Sequence, residues 1–168
     1  LYLELARRVD FPMTGVGMPG HFLVRPLFEG SEIFVDPFHQ GEILFPEDCQ
    51  ERLSQIYGPG IPLQEHYLQP TSSRMILVRL LNNLKQIYLS RADLEPALAA
   101  VERILLLTPE ALPQLRDRGL LYYQLGRWRQ AQQDLKHYLA QAPQYGETNR
   151  SDAHLIREIL QRLESHSD

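Results

Sequence analysis

The sequence predicts an α+β protein: a small antiparallel sheet with helices, followed by an all-α helical array. Two short runs rich in aromatic and β-branched residues, 21–25 and 32–36, predict the sheet. From about residue 72 onward, apolar residues recur at helical spacing, and this part of the chain repeats itself every 34 residues. We expect two domains, at residues 1–66 and 71–168.

Composition and length are those of a globular protein with enough apolar material for a core. The chain has 168 residues, of which 43% are hydrophobic and 23% charged, and one cysteine. A single cysteine excludes an internal disulfide framework and is typical of a reducing, cytoplasmic compartment. No apolar run approaches the roughly 20 residues that a membrane span needs, so no membrane partner is expected.

Charge is distributed unevenly along the chain. Residues 1–70 carry 4 Arg and no Lys against 10 Asp and Glu, a net charge of −6. Residues 71–168 carry 13 Lys and Arg against 11 Asp and Glu, a net charge of +2. Neither part has the strong positive field of a nucleic-acid-binding protein, so that class of partner is disfavoured.

The first predicted element is a helix over 1–9. Its apolar residues are already in a buried-helix pattern at Leu1, with no capping residue before them. We therefore expect the helix to start outside this sequence. Asp10 and Pro12 end it, because the residues that precede a proline avoid the helical conformation.

The two β-like runs predict a hairpin, and the pairing of opposite charges between the two strands favours one register. Centring the loop between Phe28 and Glu29 places two pairs of opposite charge on one face and only apolar residues on the other. The opposed pairs on the polar face are then Arg25–Glu32, Leu23–Phe34 and His21–Asp36, and those on the apolar face are Phe22–Val35 and Val24–Ile33.

The predicted His21–Asp36 contact has two interpretations. A carboxylate that accepts a hydrogen bond from one imidazole nitrogen fixes the tautomer and leaves the other nitrogen free as a base. A nearby thiol or hydroxyl would then complete an acyl-transfer site. The alternative is a structural contact at the end of the hairpin.

A helix is predicted over 45–57, with Pro46 near its start and Gly58 beyond its end. Cys49 lies in its acidic first turn, where nearby carboxylates oppose thiolate formation, and we interpret it as structural. His39 and His66 have no partners at metal-ligand spacing. The sequence contains no metal site, phosphate-binding glycine loop or cofactor motif, so no cofactor is expected.

The second half predicts paired helices. Residues 34 apart match in type, as in Ala97 with Ala131 and Pro109 with Pro143, and this period resembles the tetratricopeptide repeat. Gly119 fills the small-residue position of the second repeat, whereas the first repeat has Lys85 there. The predicted helices cover about 72–90, 93–107, 113–126 and 128–141, and a helix over 152–163 caps the array.

In such repeats the first helix of each pair lines a concave face. Arg and Asn side chains in a groove can hold a peptide backbone or a carboxylate, and the alternative is that they dock on the chain itself or stay solvated. The candidate partner-binding residues on this face are Arg79, Asn82, Asn83, Gln86, Arg116 and Tyr123, with Leu120 beside them.

Five segments together resemble a known family. They are 3–8 (LELARR), 19–25 (PGHFLVR), 36–38 (DPF), 83–85 (NLK) and 116–121 (RDRGLL). These look like the bacterial SirB-type proteins, which join a transglutaminase-like N-terminal domain to C-terminal tetratricopeptide repeats. The resemblance covers nearly the whole chain.

The resemblance implies roles for the His–Asp pair. His21 and Asp36 match the His and Asp of the transglutaminase and cysteine-protease-like superfamily, whose nucleophilic Cys would lie a few residues before Leu1. We therefore expect a truncated, non-catalytic transglutaminase-like domain fused to a module that binds a protein or peptide. The alternative is a Cys- or Ser-dependent acyl-transfer enzyme that uses His21 as base and Asp36 to orient it.

Overall fold

The structure is a computed structural model that describes residues 1–28, 30–141 and 150–165. The chain divides into two compact units, Leu1–Ile76 and Leu77–Asp168. Each unit has a hydrophobic core of its own.

The first unit is a four-stranded antiparallel sheet with helices, as the sequence predicts. The strands are hydrogen-bonded in chain order, so the sheet is a meander. Its elements are α1 (Tyr2–Arg8), β1 (Met13–Val16), β2 (Leu23–Pro26), β3 (Phe34–Asp36), β4 (Glu42–Leu44), α2 (Pro46–Tyr57) and a 3₁₀ turn (Glu65–Leu68).

The register expected for the β2–β3 hairpin is wrong by two residues. Val24 pairs with Val35, whereas charge matching paired it with Ile33. The centre of the expected loop includes Glu29, which lies outside the described residues. A shift of two residues leaves every side chain on its original face of the sheet, because side chains alternate with a period of two.

The shift has a physical cause in Arg25. Charge matching placed its guanidinium against Glu32, but Arg25 Nη2 instead donates to the carbonyl of Ser31 at 3.2 Å. The same guanidinium lies over the ring of Phe34, 5.8 Å from its centroid. The Arg25 guanidinium thus contacts a loop carbonyl and an aromatic ring rather than the carboxylate expected from charge matching.

Strand β4 was not foreseen. Gln40 and Gly41 have positive φ angles of 57° and 84°, and this turn sends the chain back along β3. The Gly41 amide donates to the Asp36 carbonyl at 2.8 Å and closes the turn. A three-residue strand is too short to show a period-two pattern.

Helix α2 is confirmed to within one residue, since it begins at Pro46 rather than Phe45. Pro46 occupies the first turn, the Asp48 carboxylate accepts the Phe45 amide at 2.8 Å, and Gly58 follows the last turn at φ 92°. Cys49 and Leu53 are its fully buried residues. The core of the unit is formed by Val16, Met18, Leu23, Phe34, Leu44 and Cys49.

The second unit is helical, and the predicted helices are confirmed to within a few residues. Pro143, expected to end the second repeat, lies outside the described residues. The helices are α3 (Ser73–Ser90, which begins in the first unit), α4 (Leu94–Leu107), α5 (Leu112–Gln124), α6 (Trp128–Gln141) and α7 (Arg150–Ser165).

Close packing between α5 and α6 depends on Gly119. A β-carbon at this position would lie 2.7 Å from Leu135 Cδ2 and 3.2 Å from Asp134 Cβ. Leu135 is fully buried in the core of the unit, so it has little room to move. Gly119 therefore serves as the small residue at which the paired helices cross.

Lys85 shows how the first repeat departs from the pattern. The side chain is only 5% exposed, and its Nζ donates to Asp117 Oδ2 at 2.8 Å and to Gln114 Oε1 at 3.0 Å. A buried ammonium requires a charged partner and further hydrogen bonds. Helix α5 supplies both, so a lysine can occupy a position that the repeat usually gives to a small residue.

We predict that Gly119→Val lowers the free energy of unfolding of the helical unit by about 1–3 kcal/mol, because the added methyl groups overpack the α5–α6 crossing. Urea unfolding followed by the fluorescence of the single tryptophan, Trp128, measures the change. Gln124→Ala, at an exposed position of α5, is the control and should shift stability by no more than about 0.5 kcal/mol. An unchanged stability in Gly119→Val would contradict the packing described.

Candidate functional site

His21 and Asp36 are brought together in the first unit. His21 Nε2 lies 2.7 Å from Asp36 Oδ2. With Val24 opposite Val35, the two residues are not directly opposed, and the contact runs diagonally across the ends of β2 and β3. The expected contact thus forms in a register that differs from the expected one.

The Asp36 carboxylate is fully buried and accepts four hydrogen bonds. Oδ1 accepts the backbone amides of Phe38 at 2.9 Å and His39 at 3.1 Å. Oδ2 accepts His21 Nε2 and His39 Nδ1, both at 2.7 Å. The two amides come from the turn that follows β3, so the acid closes this turn and at the same time holds two imidazoles.

Burial and hydrogen bonding act in opposite directions on this acid. Burial alone would raise the pKa of Asp36, but the hydrogen bonds from His39, His21 and the two amides outweigh it and bring the pKa below its ordinary value of 3.8. Arg52 adds a positive charge, with Nη2 3.9 Å from Oδ2. Asp36 is therefore ionised at neutral pH.

An ionised Asp36 determines the tautomer of His21. Since a carboxylate only accepts hydrogen bonds, the ring proton of neutral His21 lies on Nε2 and leaves Nδ1 as a free acceptor. The His21 side chain is 12% exposed. This arrangement can provide a general base at Nδ1, and it can equally serve as a structural link between two strand ends.

His39 is the residue that the sequence reasoning missed. The sequence predicts no partner for it at metal-ligand spacing, which is wrong, because its ring shares Asp36 Oδ2 with His21. His39 lies three residues after Asp36, in a turn that the Asp36 side chain itself closes. An Asp followed closely by Pro is a turn signal, and it could have indicated that a side chain three positions later returns to the carboxylate. His66 lies outside this group and packs against Tyr67.

The thiol of Cys49 is not available as a nucleophile in the folded chain. The residue is fully buried, and burial, followed by the charge of Asp48, raises its pKa to about 11. The charges of Asp36 and Glu47 act in the same direction, and Arg52 opposes them. A thiol with this pKa is almost entirely protonated at neutral pH.

The predicted partner-binding residues differ in how far they are engaged within the second unit. Asn82 Nδ2 donates to the Val78 carbonyl at 3.0 Å, and its Oδ1 accepts Gln114 Nε2 at 3.1 Å. Arg79 is half-buried, whereas Asn83 and Gln86 are exposed.

Arg116 and Tyr123 on α5 contact neighbours in the same unit. Arg116 pairs with Asp117 at 2.9 Å and also with Asp152 of α7. The ring of Tyr123 packs against Trp128, with centroids 5.6 Å apart. Arg116 thus links α5 to the capping helix.

Two protein families match successive parts of the chain. Residues 1–82 match the transglutaminase-like superfamily, and residues 84–161 match the tetratricopeptide repeat. A UPF0162 protein of Xylella fastidiosa is 36% identical over 99% of this chain and 60% of its own length. Protein SirB1 of Salmonella typhimurium is 30% identical over 86% of this chain and 54% of its own length. The SirB-type resemblance is confirmed.

The SirB-type relatives are longer than this chain. The UPF0162 protein YchA of Escherichia coli is 30% identical over 84% of this chain and 53% of its own length. The chain thus spans 60% of the first Xylella relative and about half of the other two. No solved structure was found to match it. Among the helices of the described residues, none has the length and apolar character needed to cross a membrane.

We predict that Asp36→Asn lowers the free energy of unfolding at neutral pH by about 1–3 kcal/mol, because hydrogen bonds to a buried charge are lost. A carboxyl group whose pKa is lower in the folded than in the unfolded state stabilises the protein at pH values above the unfolded-state pKa. This stabilisation is lost as the pH falls through the folded-state pKa. The wild type should therefore lose stability below pH 3.8, and the variant should lose less over the same range.

Urea unfolding followed by circular dichroism at a series of pH values measures both effects. Asp10→Asn is the matched control, because Asp10 is exposed and its φ of 53° is one that Asn also adopts. Equal acid sensitivity in the wild type and Asp36→Asn would contradict a stabilising, ionised Asp36.

Proposed function

We propose that this chain is a protein-interaction unit, in which a non-catalytic transglutaminase-like domain is joined to tetratricopeptide repeats that bind a protein or peptide. The observation that carries the proposal is the exposure of Asn83 and Gln86 on α3, the first helix of a repeat pair. Repeat arrays of this kind present extended binding surfaces built from successive repeats.

The chemistry of this face suits a peptide backbone. Each carboxamide has two N–H donors and one carbonyl acceptor, so Asn83 and Gln86 can pair with both groups of an extended peptide. Arg79, Asn82, Arg116 and Tyr123 belong to the same proposed surface. The internal hydrogen bonds of Asn82 and Arg116 make these two residues supports of the surface rather than its first points of contact.

The structural use of Asp36 supports a non-catalytic role for the transglutaminase-like domain. Cys49 is buried with a raised pKa, so it does not serve His21 as a nucleophile. The Asp36 carboxylate also closes the turn after β3, so a structural purpose accounts for its burial. We propose that the His21–Asp36 contact holds the sheet together at this end.

Two further proposals follow from the composition of the chain, and a third from its sequence pattern. The single Cys49 favours a cytoplasmic location. The acidic first part, with its net charge of −6 over residues 1–70, makes nucleic acid an unsuitable partner. The domain limits proposed from the sequence remain 1–66 and 71–168.

A second candidate function is acyl transfer by a Cys or Ser outside this sequence. The 2.7 Å contact between His21 Nε2 and Asp36 Oδ2 favours it, because Nδ1 is left free to take a proton from a nucleophile. Hydrolysis or transfer of acyl substrates by a protein that joins this chain to such a nucleophile, lost in His21→Ala without unfolding, would support this candidate and contradict the non-catalytic proposal.

We predict that a photo-crosslinking phenylalanine analogue at position 86 captures a discrete partner in cells, because this side chain faces the proposed surface. The control is the same substitution at Gln133, an exposed position on α6, the second helix of its pair. Adducts resolved on denaturing gels and identified by mass spectrometry give the result. Adducts at position 86 that are absent at 133 support the proposal, and identical adducts or none at both positions contradict it.

A further inference from the structure

A compact group of metal-ligating atoms lies in the first unit. His21, Asp36 and His39 each offer one ligand atom, and these atoms all lie within 4.8 Å of one another. Both imidazole nitrogens are 2.7 Å from the same carboxylate oxygen, Asp36 Oδ2. The sequence predicts no such cluster, and this prediction is wrong for the described residues.

We propose that His21, Asp36 and His39 bind one Zn²⁺ ion. Two neutral imidazoles and one carboxylate form a donor set that zinc accepts, with its fourth position left to water. Nothing in the proposed partner binding requires this site, so the two proposals stand or fall separately.

The ligand atoms must move apart before the ion can be bound. Zinc lies about 2.0–2.2 Å from N and O ligands, so neighbouring ligand atoms of a tetrahedral site are about 3.3–3.5 Å apart. Each of the two N···O separations of 2.7 Å must therefore open by about 0.6–0.8 Å. The His39 side chain is 42% exposed, which leaves it room to move.

The carboxylate is already oriented for this role. Asp36 Oδ1 is held by the amides of Phe38 and His39, so Oδ2 is the oxygen presented to both rings. Metal-binding carboxylates usually have such outer hydrogen bonds, which hold the ligand oxygen in place. Because His39 is part-exposed, an ion and a water ligand can enter from its side of the cluster.

One positive charge lies close to the site. Arg52 Nη2 is 3.9 Å from Asp36 Oδ2, but it also pairs with Glu42 Oε2 at 2.8 Å. The Glu42 carboxylate offsets the guanidinium charge, so the charge surrounding the three ligands is not strongly positive. Arg52 thus weakens the attraction of the site for a cation without abolishing it.

Zinc binding would also change what His21 can do. A metal on Nε2 leaves the ring proton of neutral His21 on Nδ1, so Nδ1 no longer accepts a proton. The ion and the base function of the His–Asp pair therefore exclude each other. In a longer protein with a nucleophile, zinc binding at this cluster would therefore prevent His21 from acting as a base.

The test is isothermal titration calorimetry of the chain with Zn²⁺ alone, after chelator treatment and at near-neutral pH. We expect one ion per chain at the cluster and a loss of affinity of at least about 100-fold in His39→Gln, since even outer-sphere changes cost 10–100-fold. Nitrogen-15 shifts of the His21 ring follow the same titration, and they should move in the wild type. Circular dichroism checks that the variant is folded.

His154→Gln is the matched control. His154 Nδ1 lies 3.3 Å from Glu158 Oε1 on an exposed helix face, so it is another His–carboxylate pair that a stray ion could use. Its substitution should leave the affinity unchanged. The proposal is overturned if the wild type binds no zinc, if His39→Gln binds as tightly as the wild type, or if His154→Gln causes the loss instead.

Discussion

The buried carboxylate of Asp36 is the interaction on which the first unit depends. An ionised acid without exposure to solvent is stable only when its oxygens are fully hydrogen-bonded, and here four donors surround it. Two of these donors are amides of the following turn, and the Asp36 carbonyl accepts the Gly41 amide at the end of that turn. The carboxylate therefore orders the start of the turn that leads to β4, and it holds both imidazoles.

The same carboxylate takes part in three roles that the site can have. It orients His21 as a base, it connects the ends of two strands, and it brings a second imidazole to the same oxygen, as metal binding requires. The structural use needs nothing beyond these contacts, whereas the chemical use needs a nucleophile, which the buried thiol of Cys49 does not provide. In the helical unit, ion pairs act similarly between helices: Lys85 of α3 pairs with Asp117 of α5, and Arg116 of α5 pairs with Asp152 of α7.

The helices could be predicted from the sequence because each shows the 3.6-residue period over several turns, with Pro or Gly near its ends. The hairpin was predicted in the wrong register, because charge matching cannot foresee that Arg25 bonds to a loop carbonyl. Its error of two residues preserved the face of each side chain, and so the His21–Asp36 contact was still found. His39 was missed because its contact arises from a turn, and turns show no periodic sequence pattern. The burial of Lys85 could not be predicted, because the hydrophobic pattern treats lysine as an exposed residue.

The most direct test of the role of Asp36 is the protonation of the two imidazoles that it holds. Nitrogen-15 spectra of the histidine rings in the metal-free chain, recorded at mildly alkaline pH, report which ring nitrogen carries the proton. An ionised Asp36 that accepts both hydrogen bonds requires the proton on Nε2 of His21 and on Nδ1 of His39. Observation of both protons at these positions would confirm the arrangement, and rings that average between tautomers, or a His21 protonated on Nδ1, would contradict it.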